Sequence, residues 1–246
     1  MPGAFEHTPL LSDLRLAIVR ILCDRLRSIA IPDGGWRHVE RIVRPGNVII
    51  TSNWDLLVEW YAACRGIPLR LGGSLDNDVV TLIKLHGSVD WTARAYWLGT
   101  ASVREFAVLR ELQNGRAARR IDLGLDDVLR IRAVEAMSRS WQFIKARTRR
   151  PLMVKMSQGK TTDFAPIKGM WSDAYHALSA SRHVELLGYS LPPDDIEIRT
   201  LLRAGVSRGP RQARVTVRNP EPGVHVRVRT FVSRAAISDY LAFQPT

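Results

Sequence analysis

The chain has 246 residues, 46% of them hydrophobic, and a formal charge of +12. That suits one large soluble α/β domain with a sizeable core. No apolar run reaches the roughly 18–20 residues that cross a bilayer, the start MPGAFEHTPLL lacks the basic and apolar regions of a signal peptide, and Cys23 and Cys64 alone exclude a disulfide framework or a four-cysteine zinc site.

Between residues 9 and 30, Leu14, Ile18, Ile21, Leu22, Leu26 and Ile29 recur at three- and four-residue steps, which predicts one helical face. Pro32-Asp33-Gly34-Gly35 ends that segment as a turn. A short amphipathic stretch from Trp36 to Val43 then runs to the breaker Arg44-Pro45-Gly46. The β-branched run Val48-Ile49-Ile50-Thr51 reads as a strand buried on both faces, as strands of parallel sheets are. A helix from Trp54 to Cys64 and a strand from Val79 to Leu85 follow. Residues 101–147 carry helical spacing with a break near Gly124, and are expected to form an inserted helical layer bounded at about 92–150. Leu152 to Met156 is a strand, Ile167 to Ala180 a helix, and His183 to Leu187 a strand that stops at Gly188. Asp194 or Asp195 caps a helix that runs to Ala204. Val215-Thr216-Val217 and the alternating segment from Val224 to Val232 are the last strands. Strands alternating with helices predict a Rossmann-like, doubly wound, mostly parallel sheet with the helical layer inserted, all in a single domain over residues 1–246.

Ligands of open parallel sheets bind outside the carboxyl ends of the strands. The segments at those ends are Thr51-Ser52-Asn53-Trp54-Asp55, His86-Gly87-Ser88, Gly188-Tyr189-Ser190 and Asn219-Pro220. Taken in order, an Asn-x-Asp after a strand, a His-Gly at the next strand end, a later Gly-x-Ser and a late Asn resemble the sirtuins and their bacterial sirtuin-like relatives. TSNWDLLVEW resembles the family's threonine-x-asparagine-tyrosine-aspartate segment. KLHGSVDW and LLGYSLPPDDIEIRTLL are similar to its bacterial, non-deacetylase branch. The resemblance covers roughly residues 36–232, and the helical middle matches poorly.

The resemblance implies that NAD+ is the substrate and that Asn53 and His86 lie beside the nicotinamide ribose. Asn53 would hold a water beneath the anomeric carbon, and His86, titrating near neutrality, would accept a proton from that water or from a ribose hydroxyl. Asp55 would contact the nicotinamide carboxamide, with Thr51 and Gly87 completing that part of the site. Gly188 and Ser190 would lie against ribose and phosphate, and Asn219 would bond the adenosine ribose. All are expected at one cleft on the carboxyl edge of one sheet. Read without the resemblance, Asn53 and Asp55 are more simply helix caps, His86 a structural histidine, Tyr189 and Trp91 packing residues, and Glu59 a solvated residue or a partner for arginine.

Deacetylases of this family carry a four-cysteine zinc ribbon, which two cysteines cannot build. Free NAD+ with water as acceptor, and no metal, is therefore the expected chemistry. The implied activity is NAD+ glycohydrolysis to nicotinamide and ADP-ribose in bacterial anti-phage defence by abortive infection, and the alternative is a degenerate NAD- or ADP-ribose-binding or protein-interaction module. The family also opens with a strand and a Gly-Ala-Gly-x-Ser loop that cradles pyrophosphate. No strand precedes Gly3, and Gly34-Gly35 follows Pro-Asp as a turn, so that strand and loop are expected to be missing and the chain to be truncated relative to the family. The expected protein partner is a second copy or another defence component. Only five of the 36 basic residues are lysine (Lys84, Lys145, Lys155, Lys160, Lys168). The arginine skew suits a GC-rich genome as well as a basic face, and no aromatic residues interleave it as on a single-strand platform. Nucleic acid is the disfavoured partner, a membrane none, and the cytoplasm the expected location.

Overall fold

The structure is a computed structural model. It describes residues 37–73, 75–93, 122–123, 128–130, 151–153, 167–208 and 214–233, with isolated helical positions at Leu14, Ala17, Ile18, Ile21, Leu22 and Arg25. The chain divides into two units, Met1–Lys155 with Thr161–Met170, and Met156–Lys160 with Trp171–Thr246. Both are mixed α/β with parallel strands. Among the described residues no helix is long and apolar enough to cross a membrane.

In the first unit, helix Arg37–Ile42 leads to β1 (Val48–Thr51), helix Leu57–Cys64, β2 (Leu69–Leu71) and β3 (Val80–Lys84). These strands and the short β5 (Asp122–Leu123) form a parallel sheet in the order β1-β3-β2-β5. The apolar and β-branched residues of β3 suit its place between two neighbours, and every residue from Val80 to Lys84 is buried, Thr81 and Lys84 included. Helix Leu57–Cys64 starts where the Asp55 carboxylate accepts the Leu57 N–H (2.9 Å), a cap that satisfies one of the orphan N–H donors of the first turn. It ends at Gly66, whose φ of 65° lets the Ile67 N–H fold back to the Ala62 carbonyl (2.8 Å). Leu56, Trp60 and Tyr61 pack with Leu69, Leu71, Val80, Leu82, Ile83 and Leu85 into a buried core, each side chain contributing about 1.5–3 kcal/mol. After β3 the chain does not enter a helix. A turn at Leu85-His86 passes into β4 (Gly87–Ala93), which pairs antiparallel with β6 (Val128–Arg130) and β7 (Pro151–Met153).

In the second unit, helix Lys168–Ala180, which belongs to that unit from Trp171 onward, precedes β8 (His183–Leu187), helix Ile196–Arg208 and β9 (Arg214–Arg218), and helix Pro222–Ser233 follows. β8 and β9 pair in parallel, from His183 opposite Arg214 to Leu187 opposite Arg218. Helices Lys168–Ala180 and Ile196–Arg208 approach closely at Gly205, where an added Cβ would stand 2.5 Å from the Leu178 Cβ. A Gly205→Ala variant is therefore expected to lose about 1–3 kcal/mol of stability through overpacking. Urea denaturation checks this, and a loss under about 0.5 kcal/mol would contradict the close approach.

Four expectations change. The strands ending near Thr51, Leu85, Leu187 and Val217 are parallel two by two, but they belong to separate sheets, β1 with β3 and β8 with β9. The segment from Val224 to Val232 is helical. Its alternation of valine with arginine mimics a strand, yet the Asn219 oxygen accepts the Glu221 N–H (2.9 Å) in a turn and Pro222 opens the helix, where its missing N–H costs nothing. Val224 and Val228, four apart, are the buried residues, and Val226 is exposed. Within the expected helical layer, Asp122–Leu123 and Val128–Arg130 are strands; the remainder of residues 101–147 lies outside the described residues. Finally, the helix expected from Trp54 begins at Leu57, because Trp54 and Asp55 are engaged in tertiary hydrogen bonds and the cap.

Candidate functional site

The register of β1 and β3 builds one edge. Thr51 pairs with Lys84, so Asn53 and His86 each follow a paired position by two residues, at the carboxyl ends of adjacent parallel strands. Three bonds stitch the two tips together. The Leu85 N–H donates to the Thr51 carbonyl (2.9 Å), the Val89 N–H to the Trp54 carbonyl (3.0 Å), and the Trp54 indole N–H to the His86 carbonyl (3.0 Å). The Thr51 hydroxyl accepts the Asn53 N–H (3.0 Å), which turns the chain so that Asn53 is exposed. Gly87 takes a φ of 80°, a conformation that suits glycine, and so allows the tight passage into β4.

The two side chains at this edge differ sharply in environment. Asn53 faces solvent, while His86 is 0% exposed. The Asp55 carboxylate caps the following helix, as its residue type alone would suggest.

Beneath the edge lies a charged cluster not anticipated from sequence. Lys84 and Glu59, each 1% exposed, form a buried ion pair of 3.0 Å. The Lys84 ammonium also donates to the Ser88 hydroxyl (2.9 Å) and to the Asp55 carbonyl. Glu59 is thus buried, not solvated, and pairs with a lysine. The available signal was the strand itself: a lysine within the apolar run from Val79 to Leu85 must find a buried counter-charge.

A second edge belongs to the other unit. Gly188 and Asn219 directly follow the paired residues Leu187 and Arg218, and the Gly188 N–H donates to the Arg218 carbonyl (2.9 Å). Gly188 has a φ of 67° with open space where a Cβ would be, and Ser190 is exposed. The Arg227 guanidinium donates twice to the Ser190 carbonyl (3.2 Å each) and pairs with Glu221. The Asn219 side-chain oxygen accepts the Glu221 N–H in the turn before the last helix. Of the expected set, Thr51, Asn53, Asp55, His86 and Gly87 therefore share the first edge, and Gly188, Ser190 and Asn219 the second. Among the described residues no group of three or more His, Cys, Asp or Glu is arranged to hold a metal ion.

The loop after β8 is held by its own side chains. The Tyr189 hydroxyl donates to Asp195 (2.8 Å), whose other oxygen caps helix Ile196–Arg208 at the Ile198 N–H (3.5 Å). Burial pushes the Tyr189 hydroxyl far above its ordinary pKa of 10.0, and the Asp195 hydrogen bond and charge add to the effect. A phenol whose folded pKa is raised contributes stability that is full below the unfolded value and falls as pH rises through 10.0. Tyr189→Phe is accordingly expected to flatten the alkaline decline in unfolding midpoint. Melts between about pH 8 and 11 check this, and equal slopes in both proteins would contradict it.

The chain matches no protein-family model and no curated protein.

Proposed function

We propose that the chain is a Rossmann-like, sirtuin-like NAD-site domain that hydrolyses NAD+ to nicotinamide and ADP-ribose. The observation that carries the proposal is the β1–β3 register, which brings an amide and an imidazole to the carboxyl ends of neighbouring parallel strands, where such sheets bind nucleotides. In the reaction the bond between the anomeric carbon and the pyridinium nitrogen breaks, and its electron pair stays with nicotinamide. A water held by Asn53 forms the new carbon–oxygen bond, and His86 takes the proton that this water loses. Because the His86 side chain is 0% exposed, the reaction requires the residues over it to move aside as NAD+ enters. By resemblance, Thr51, Asp55 and Gly87 serve the nicotinamide side. A cytoplasmic role in abortive infection, alongside a second copy or another defence component, completes the proposal.

The purified chain, incubated with NAD+, is expected to release nicotinamide and ADP-ribose in equal amounts by chromatography. No nicotinamide above a protein-free control, together with no heat of NAD+ binding, would end the proposal. A second reading, a catalytically weak NAD- or ADP-ribose-binding module, draws on the burial of His86, on the use of Asp55 as a helix cap and on the engagement of the Asn219 oxygen with the Glu221 N–H. It is the outcome if calorimetry detects binding of either nucleotide while nicotinamide release stays at background.

A further inference from the structure

We infer that Lys84 is a positioning residue that fixes Asn53 relative to His86; the inference rests on the hydrolase reading above. An ammonium has three protons to donate, and Lys84 directs them at three separate segments. One goes to the Asp55 carbonyl, in the turn that follows Asn53. One goes to the Ser88 hydroxyl (2.9 Å), two residues after His86. One goes to the Glu59 carboxylate (3.0 Å), on the helix that the turn opens. Ser88 also donates weakly to the Trp54 carbonyl (3.4 Å), so the two tips are tied through one buried charge. The ion pair is 1% exposed at both partners, and a pair so buried is seldom retained for stability alone, because apolar residues of equal volume fill such a place as well or better. Its geometric effect is different in kind. An apolar pair can fill the space, but it cannot hold the Asp55 carbonyl and the Ser88 hydroxyl at fixed positions. A misplacement of about 1 Å between groups that share a substrate water can cost about 100-fold in rate.

The test replaces the whole pair, Lys84→Met with Glu59→Leu, so that no charge is left buried without its partner. The double variant is expected to fold, to keep the KM for NAD+ within about threefold, and to lose about 100-fold in kcat. In the same protein, hydrogen exchange at the Leu85 and Val89 amides, which bond Thr51 and Trp54 across the two tips, is expected to quicken about tenfold. Exchange at the Thr81 amide, bonded to Asn47 at the other end of the strands, is expected to stay as it was. A kcat equal to wild type, or an even rise in exchange along β3, would overturn the inference. If the wild-type protein releases no nicotinamide, the hydrolase reading fails by itself, and the exchange pattern alone decides whether Lys84 holds the two tips.

Discussion

His86→Ala is expected to lower nicotinamide release by about 10²–10⁴-fold, the contribution of a positioned general base. Asn53→Ala is expected to cost a comparable factor through the loss of water orientation. The structural consequences of the two substitutions should differ, and that difference keeps the result interpretable. Asn53 is exposed, and the helix start beside it is capped by Asp55, so Asn53→Ala should change stability by no more than about 0.5 kcal/mol. His86 is wholly buried, so truncating it also opens a cavity and lowers the melting temperature. His86→Gln fills more of that space without supplying a base near neutrality, and should be equally slow at a higher melting temperature. Retention of the wild-type rate by both Asn53→Ala and His86→Gln would show that the reaction, if present, uses other residues.

Lys84→Ala is expected to be the most damaging single substitution for stability. It leaves the Glu59 carboxylate, 1% exposed, without the ammonium that stands 3.0 Å from it. Removing one member of a buried pair costs about 3–5 kcal/mol, a large share of the total stability of a domain. Equilibrium unfolding in urea should show the loss as a lowered midpoint. Glu59→Gln keeps the shape and an acceptor and should cost less. If Lys84→Ala cost under about 1 kcal/mol, the pair would behave like an exposed one, and the burial described here would be contradicted.

Much of this architecture is written in local sequence. The β-branched run from Val48 to Thr51, the apolar run that becomes β3, and the strand from His183 to Leu187 were legible because strand propensity and turn residues act over a few positions. The same holds for Asp55 and Asp195 as caps, since a cap needs only its own helix start. The strand-end segments with Asn53, His86, Gly188, Ser190 and Asn219 were legible for that reason too. What local sequence could not decide involves partners far along the chain. The valine–arginine alternation after Pro222 fits a strand as well as a helix, and only the burial of Val224 and Val228 together selects the helix. Leu69–Leu71 is a strand because β3 and β5 flank it, not because three residues carry a strong signal. The division of the parallel strands into separate sheets is a matter of which ladders close, a long-range property. Glu59 and Lys84 are 25 residues apart, and nothing near either one specifies the other. Charge and hydropathy along the chain tell which groups cannot be buried alone; only the tertiary structure decides which distant group meets them, because the desolvation cost depends on the assembled surroundings and not on the neighbouring sequence.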